Sequence, residues 1–382
     1  MKVLLIVTEL YNPKLRGGIQ AYNNSILAGF RRNGFDCRVV SVNDASEHLP
    51  DNTVVPCDDV HWLRKIRAGF NLLRLAVSFR PDWVYCGHVN FSLLAYMGAK
   101  LSGAKFACAV YGIDVFNLGW LPRHILRLSD KIIAISRFTA NVLLQQVSMS
   151  GPDKMAILSP AVDTDFFRPL PELRARTKKT YGFEADAVVL VTIGRLASSE
   201  RYKGYETVIS LMPELLKSNA KLRYVLAGTG DDIGRLASLV QDMGLSGKVL
   251  LPGWISEEEK LALLNSADLF IMPSKKEGFG IVFSEAMACG KKVIGGCVDG
   301  SMEALLDGRL DGSLVDPDDP NEIRQQILAS LIEIEQNPGG VSLRNRVLVE
   351  KFFSKEVFEL NVCKIFSQSL ERSGAPECLN TL

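Results

Sequence analysis

Asp268-Leu-Phe-Ile-Met-Pro-Ser-Lys-Lys-Glu277-Gly-Phe-Gly-Ile-Val-Phe-Ser-Glu285-Ala-Met-Ala-Cys289 reads as strand, loop and helix in succession. Leu269 to Met272 is a short apolar run that Pro273 ends, and Glu285-Ala-Met-Ala-Cys has helical composition. Between them stand two carboxylates eight residues apart. In one continuous helix they would be ~80° apart around the axis, poorly placed to converge on a ligand. Gly278 and Gly280 instead argue for a loop entering a helix start, where unpaired N–H groups of Gly278, Phe279, Gly280 and Ile281 and the positive dipole end favour phosphate. A carboxylate on each side of such a site suits hydroxyl-rich groups flanking a diphosphate, which is the layout of a nucleotide sugar.

The same alternation runs outward from this stretch. Apolar runs at Val3 to Thr8, Asp36 to Val42, Trp83 to Cys86, Phe106 to Tyr111, Lys131 to Ser136 and Met155 to Leu158 are separated by amphipathic segments. A second series follows at Val188 to Gly194, Arg223 to Gly228, Val249 to Leu251, Leu269 to Met272, Lys292 to Gly295 and Gly312 to Val315. Two β/α series predict two doubly wound parallel sheets in an α/β protein. Ser159 to Thr180, with Pro160, Pro169, Pro171 and a charge-rich end, reads as linker and hinge. The tail from Ser373 has little periodicity.

With 382 residues, 47% of them hydrophobic, the chain has material for two domains. A net charge of +1 gives no electrostatic case for nucleic acid. The run Val3 to Val7 is too brief for a secretory leader, and no stretch reaches the length of a membrane span. The eight cysteines form no C-x-x-C pair and no zinc spacing with the four histidines. They read as reduced thiols of a cytoplasmic protein, with no metal.

Arg195 follows the run Val188 to Gly194 and so stands at the carboxyl end of a buried strand, with Lys203 ahead of an amphipathic helix. A guanidinium fork and an ammonium together offset charge on a departing diphosphate. Arg201 lies in the gap between them as a substitute. Gly17 and Gly18 open a helix after the first strand, where the backbone can approach a ligand. His88 stands just past a strand end. Gly228-Thr-Gly230-Asp-Asp imitates a dinucleotide fingerprint, but Asp231 and Asp232 would oppose a pyrophosphate, so a tight turn with Asp capping is expected. Asp163-Thr-Asp165 imitates a metal motif and is read as structural. Residues 61–80 mix five basic residues with apolar ones. They fit either a helix with its stripe in the core or one that presses on anionic lipid.

Glu-x7-Glu around Gly-Phe-Gly resembles the donor-site signature of the family 4 glycosyltransferases. The pieces Gly17-Gly18-Ile19-Gln20, Tyr111-Gly112-Ile113-Asp114, Pro160-Ala161-Val162-Asp163, Gly194-Arg195-Leu196, Tyr202-Lys203-Gly204 and Leu226-Ala-Gly-Thr-Gly230 follow in the matching order. The resemblance implies a GT-B fold, with two Rossmann-like domains facing each other across a cleft. Residues 1–165 would form the acceptor-side domain and 166–353 the donor domain, with a final helix near 354–370 returning to the first. It implies a retaining, metal-independent transfer from a nucleotide sugar. Glu277, Arg195, Lys203 and His88 would be catalytic; Glu285, Gly278, Phe279, Gly280, Ile281, Gly17, Gly18 and Ile255 would bind the donor. A UDP-sugar is favoured over GDP-mannose. The expected acceptor is a glycan or polyprenyl-linked saccharide of bacterial polysaccharide assembly, with peripheral contact at the inner face of the membrane. Tyr111 departs from the family, many of whose members carry a sugar-contacting His there. An NAD-dependent oxidoreductase and a non-catalytic carbohydrate binder are the rival readings.

Overall fold

A computed structural model of the chain describes residues 1–10, 17–44, 51–55, 61–148, 154–309, 313–337 and 340–371. The loop with Pro13, Cys57, Gly312, Cys378 and the tail from Ser373 fall outside these residues. Two compact units divide the chain, one formed by Met1–Ala161 with the stretch from Lys355, the other by Val162–Ser354.

The first unit runs β1 (Lys2–Val7), α1 (Gly18–Arg32), β2 (Asp36–Ser41), β3 (Thr53–Val54), α2 (His61–Phe79), β4 (Trp83–Cys86), α3 (Ser92–Ser102), β5 (Lys105–Val110), α4 (Ile113–Phe116), α5 (Trp120–Arg127), β6 (Lys131–Ala134), α6 (Arg137–Leu144) and β7 (Met155–Ile157). Its strands are all parallel, in the order β3-β2-β1-β4-β5-β6-β7, with Val3 opposite Trp83 across the central pair. Helices cover both faces, so the inner strands are apolar on both sides. Leu4 and Ile6 of β1 pack with Ala68, Leu72 and Ala76 of α2 and with Ala95 and Ala99 of α3.

The second unit runs α7 (Glu172–Thr180), β8 (Val188–Ile193), α8 (Tyr205–Ser218), β9 (Leu222–Ala227), α9 (Ile233–Asp242), β10 (Val249–Gly253), α10 (Glu257–Ser266), β11 (Leu269–Met272), α11 (Ile281–Ala288), β12 (Lys292–Gly296), α12 (Ser301–Ala304), β13 (Ser313–Val315), α13 (Pro320–Gln336) and α14 (Gly340–Phe353). Its parallel order is β10-β9-β8-β11-β12-β13. Both sheets are Rossmann-like, the doubly wound architecture read from the sequence.

Helix α15 (Lys355–Glu371) packs on α1 of the first unit. Phe366 meets Phe30 and Trp83 edge-on, with ring centroids 4.7 and 5.1 Å apart. A methyl at Gly29 would stand 3.0 Å from Val362, so the two helices meet where α1 lacks a side chain.

The reading of Ser159 to Thr180 as linker needs correction. Val162 onward belongs to the second unit, and α7 packs on α10, where Arg174 donates to Asp268 at 2.6 Å. Strand β3 was not anticipated, because two residues carry no readable period.

Candidate functional site

In a doubly wound sheet, ligands bind beyond the carboxyl ends of the strands where the winding reverses. In the second unit that point lies between β8 and β11, paired at Leu190 and Leu269. β8 leads into Gly194 and Arg195, and β11 leads into the Glu277 loop. Gly228 closes the floor: its φ is +141° and a methyl there would stand 1.8 Å from the Gly194 carbonyl oxygen. The glycines of the false dinucleotide motif thus serve backbone packing at this strand end.

Lys203 lies at the end of a tight 3-10 segment, Ser198–Lys203, and is buried. Its ammonium donates to Glu277 Oε1 at 2.5 Å and lies 3.5 Å from Glu200 Oε2. Glu200 Oε1 in turn pairs with Arg195 at 2.7 Å. Burial works against the Lys203 charge, but Glu277 and then Glu200 hold its pKa above the ordinary lysine value. Three residues named from sequence are therefore brought together by Glu200, a buried carboxylate that sequence reading passed over. Arg195, though paired with Glu200, keeps its guanidinium largely exposed, 65% by area, and a guanidinium can also grip an anion. The Tyr202 hydroxyl, buried without a hydrogen-bond partner among the described residues, lies beside Glu277 and Glu200, and burial pushes its pKa up.

Asp299 holds the glycine loop from beneath. It accepts from the Glu277 amide at 2.7 Å, the Ser274 hydroxyl at 2.8 Å and the Ser301 amide at 2.9 Å. Burial raises its pKa against these bonds. The loop enters α11 through Gly280, at φ +77°, with no side chain capping the helix. Phe279 turns inward against Phe353, centroids 5.4 Å apart, so only its backbone can face a ligand.

Glu285, on α11, is buried and accepts from Lys260 at 2.8 Å. Burial pushes the Glu285 carboxyl above its usual range, while Lys260 pulls it down. Lys260 is held above the ordinary lysine value, burial opposing and Glu285 and Glu257 prevailing. A capping box places this lysine. Ser256 accepts from the Glu259 amide at 3.1 Å and Glu259 accepts from the Ser256 amide at 2.7 Å, which fixes where α10 begins. Ile255 sits half-buried in the loop just before it.

Gly17, Gly18 and His88 belong to the first unit and flank its own reversal point, between β1 and β4. Gly17 stands at the N-cap of α1, and a Cβ at Gly18 would meet nothing within 4 Å among the described residues. His88 Nδ1 accepts from the Asn90 amide at 3.2 Å, and burial lowers its pKa, favouring neutral imidazole with Nε2 carrying the proton. Tyr111 is buried and its hydroxyl is occupied: it lies 2.9 Å from the Gly87 carbonyl oxygen and 3.1 Å from Asn23 Oδ1. The residue standing in place of the family's histidine is thus a packing group of the sheet end.

Two smaller readings change. Arg201 is engaged elsewhere, donating to buried Asp232 at 2.9 Å, so it does not join Lys203. Asp232 begins α9 without capping it; its oxygens take Arg235 at 2.7 and 2.8 Å as well. Asp163 accepts from the Phe166 amide at 3.1 Å, a local turn. The described cysteines are all free thiols, four of them buried.

Residues 174–340 match the family model described as glycosyl transferases group 1, and residues 16–166 the model described as Glycosyltransferase Family 4. The chain is 32% identical over 343 residues to the GDP-mannose-dependent alpha-(1-6)-phosphatidylinositol monomannoside mannosyltransferase of Mycolicibacterium smegmatis, covering 84% of this chain and 87% of that one. It is 28% identical over 258 residues to the D-inositol 3-phosphate glycosyltransferase of Thermobispora bispora, covering 65% and 58%. A crystal structure of Anabaena HepE in complex with UDP and glucose superposes with a TM-score of 0.78 at 17% identity, covering 96% of this chain and all of that one. That likeness supports the fold.

Proposed function

The chain belongs to the family 4 glycosyltransferases, of GT-B type, and from that premise we propose that it moves a hexose from a nucleoside diphosphate to a hydroxyl of a lipid-linked or glycan acceptor. The observation that carries this reading is the chain of ion pairs Arg195–Glu200–Lys203–Glu277 at the β8/β11 reversal. A diphosphate carries the same sign of charge as Glu200 and fits the exposed fork of Arg195. The amides at Gly278 to Ile281 add donors at a helix start that no side chain caps. Glu277 accepts from a hydroxyl of the transferred sugar and Glu285 from the ribose.

In the proposed transfer, the bond from the anomeric carbon to the diphosphate breaks as the acceptor oxygen bonds to that carbon on the same face. The acceptor proton passes to the leaving phosphate, and Arg195 and Lys203 offset its developing charge without a metal. His88 is proposed for the acceptor side.

On sequence alone a UDP-sugar is favoured, although a GDP-mannose enzyme would carry the same motifs. The identity to a GDP-mannose-dependent enzyme supports GDP-mannose, which we place first, with a UDP-hexose second. The phosphatidylinositol acceptor in that relative's name supports a lipid-linked acceptor, in keeping with bacterial surface glycan assembly. Thermal melts with GDP-mannose and with UDP-glucose, each with a chelator, test the reading. GDP-mannose is expected to raise Tm, Glu285→Ala to remove that rise, and Glu277→Ala to keep it while lowering turnover. No rise with either donor, or two fully active variants, would overturn the assignment.

A further inference from the structure

Helix α2 carries two apolar stripes rather than one. Ala68, Leu72, Ala76 and Phe79 face the sheet and are buried. Ile66, Phe70 and Val77 lie within an arc of ~40° on the opposite side. They are exposed, Phe70 by 66%. Helix α3, packed beside α2, repeats the arrangement: Ala95 and Ala99 face inward, and Leu93, Met97 and Leu101 face out. Trp120, 79% exposed, begins α5, which packs against α3. The core therefore accounts for one stripe of each helix and leaves the other without a partner among the described residues.

The charges carried by these helices have one sign. Helices α2, α3 and α5 contain no Asp or Glu, in a chain that has 43 of them. Arg74 flanks the α2 stripe, Lys100 borders the α3 stripe with its ammonium over the Tyr96 ring, and Arg127 and His124 share the face of Trp120 on α5. An apolar face on helices whose own charges are all cationic, with an exposed tryptophan, matches the headgroup and upper acyl region of an anionic bilayer. Among the described residues no helix is long and apolar enough to cross a membrane. We propose that the outer face of α2 and α3, with Trp120 of α5, is a docking surface for anionic lipid bilayers. A phosphoprotein partner would need discrete pockets for its phosphates, whereas these cations are spread along continuous apolar stripes.

The proposal stands on these helices alone and does not depend on the donor assignment. Co-flotation of the full chain with phosphatidylglycerol vesicles, and with phosphatidylcholine vesicles as the neutral control, tests it. Binding to the anionic vesicles is expected, and raised salt should weaken it. Arg74→Gln with Lys100→Gln should reduce affinity roughly 25-fold, at about fivefold for each charge. Phe70→Ser with Trp120→Ser should reduce it at least about tenfold. Both pairs should keep the parent's circular dichroism and its thermal response to nucleotide. Equal binding to neutral vesicles, no binding to anionic ones, or undiminished binding by both variants would overturn the proposal. So would a lipid-free dimer in sedimentation velocity that Phe70→Ser dissolves, because the face would then belong to a second copy of the chain.

Discussion

The two sheets share a winding but not the chemistry at their reversal points. In the second unit, the loops after β8 and β11 gather Arg195, Glu200, Lys203, Glu277 and Asp299, cations tied to carboxylates. In the first, the ends of β1, β4 and β5 gather Asn23, Gly87 and Tyr111, linked by neutral hydrogen bonds, with His88 beside them accepting from the Asn90 amide. One architecture supplies the same geometric opening twice, and the side chains at the strand ends decide what each can hold. Charge pairs suit a polyanion; neutral donors and acceptors suit hydroxyls.

The contrast breaks most visibly at Lys203. Lys203→Ala leaves Glu277 and Glu200 without their shared cation, and kcat/KM is expected to fall about a hundredfold or more, with Lys203→Arg recovering part of it. A steady-state assay with either donor measures this, and near-parent activity in the Ala variant would put the diphosphate elsewhere. Next come the glycines beneath the two openings. Gly228→Ala drives a methyl against the Gly194 backbone and should cost about 3 kcal/mol in urea unfolding. Gly87→Ala first meets the Asn23 and Val7 side chains, at 2.5 and 2.9 Å, rather than backbone, so about 1 kcal/mol is expected. Equal losses would remove the distinction between a backbone floor and a side-chain floor.

Tyr111→Phe sharpens the comparison from the neutral side. It strands the Gly87 carbonyl and should cost about 1–2 kcal/mol while leaving the donor Kd unchanged. A weakened donor Kd would return the tyrosine to the sugar. The smallest effect is expected at Asp114, whose carboxyl burial pushes up to about 6 although it accepts from the Tyr111 amide. Its folded pKa lies above its unfolded one, so folding favours the protonated form. Its contribution is fully present below about pH 4 and is lost as the pH rises through 6. Asp114→Asn should raise Tm by about 3 °C at pH 7 and leave it unchanged at pH 4, read by melting scans across that window.

The strands were legible because parallel strands covered on both faces are near-continuous apolar runs, as in Val188 to Ile193. Thr53–Val54 has no such run and was missed. Arg195 and Glu277 could be named because a strand end or a glycine pair marks each position locally. Glu200, Lys260 and Asp299 carry no local mark. Lys260 meets Glu285 across 25 positions of sequence and Asp299 meets Glu277 across 22, contacts that only the crossing of α10 with α11 and the end of β12 create. A faint signal did exist for Arg201: the acidic pair Asp231-Asp232 after β9 wanted cations nearby. The charge-rich stretch from Glu172 read as a linker because little of α7 is apolar, yet Arg174 anchors it through one ion pair and two backbone carbonyl oxygens.

The return of α15 has a consequence for how the chain is made. The second unit is continuous in sequence and its core is complete once α14 has been synthesised. The first unit, though begun before the second, leaves Tyr22, Phe30 and Trp83 without Phe358 and Phe366 until α15 leaves the ribosome. Nascent chains stalled before Lys355 should therefore expose these aromatic rings to chaperones, so that of these two units the one begun earlier matures later.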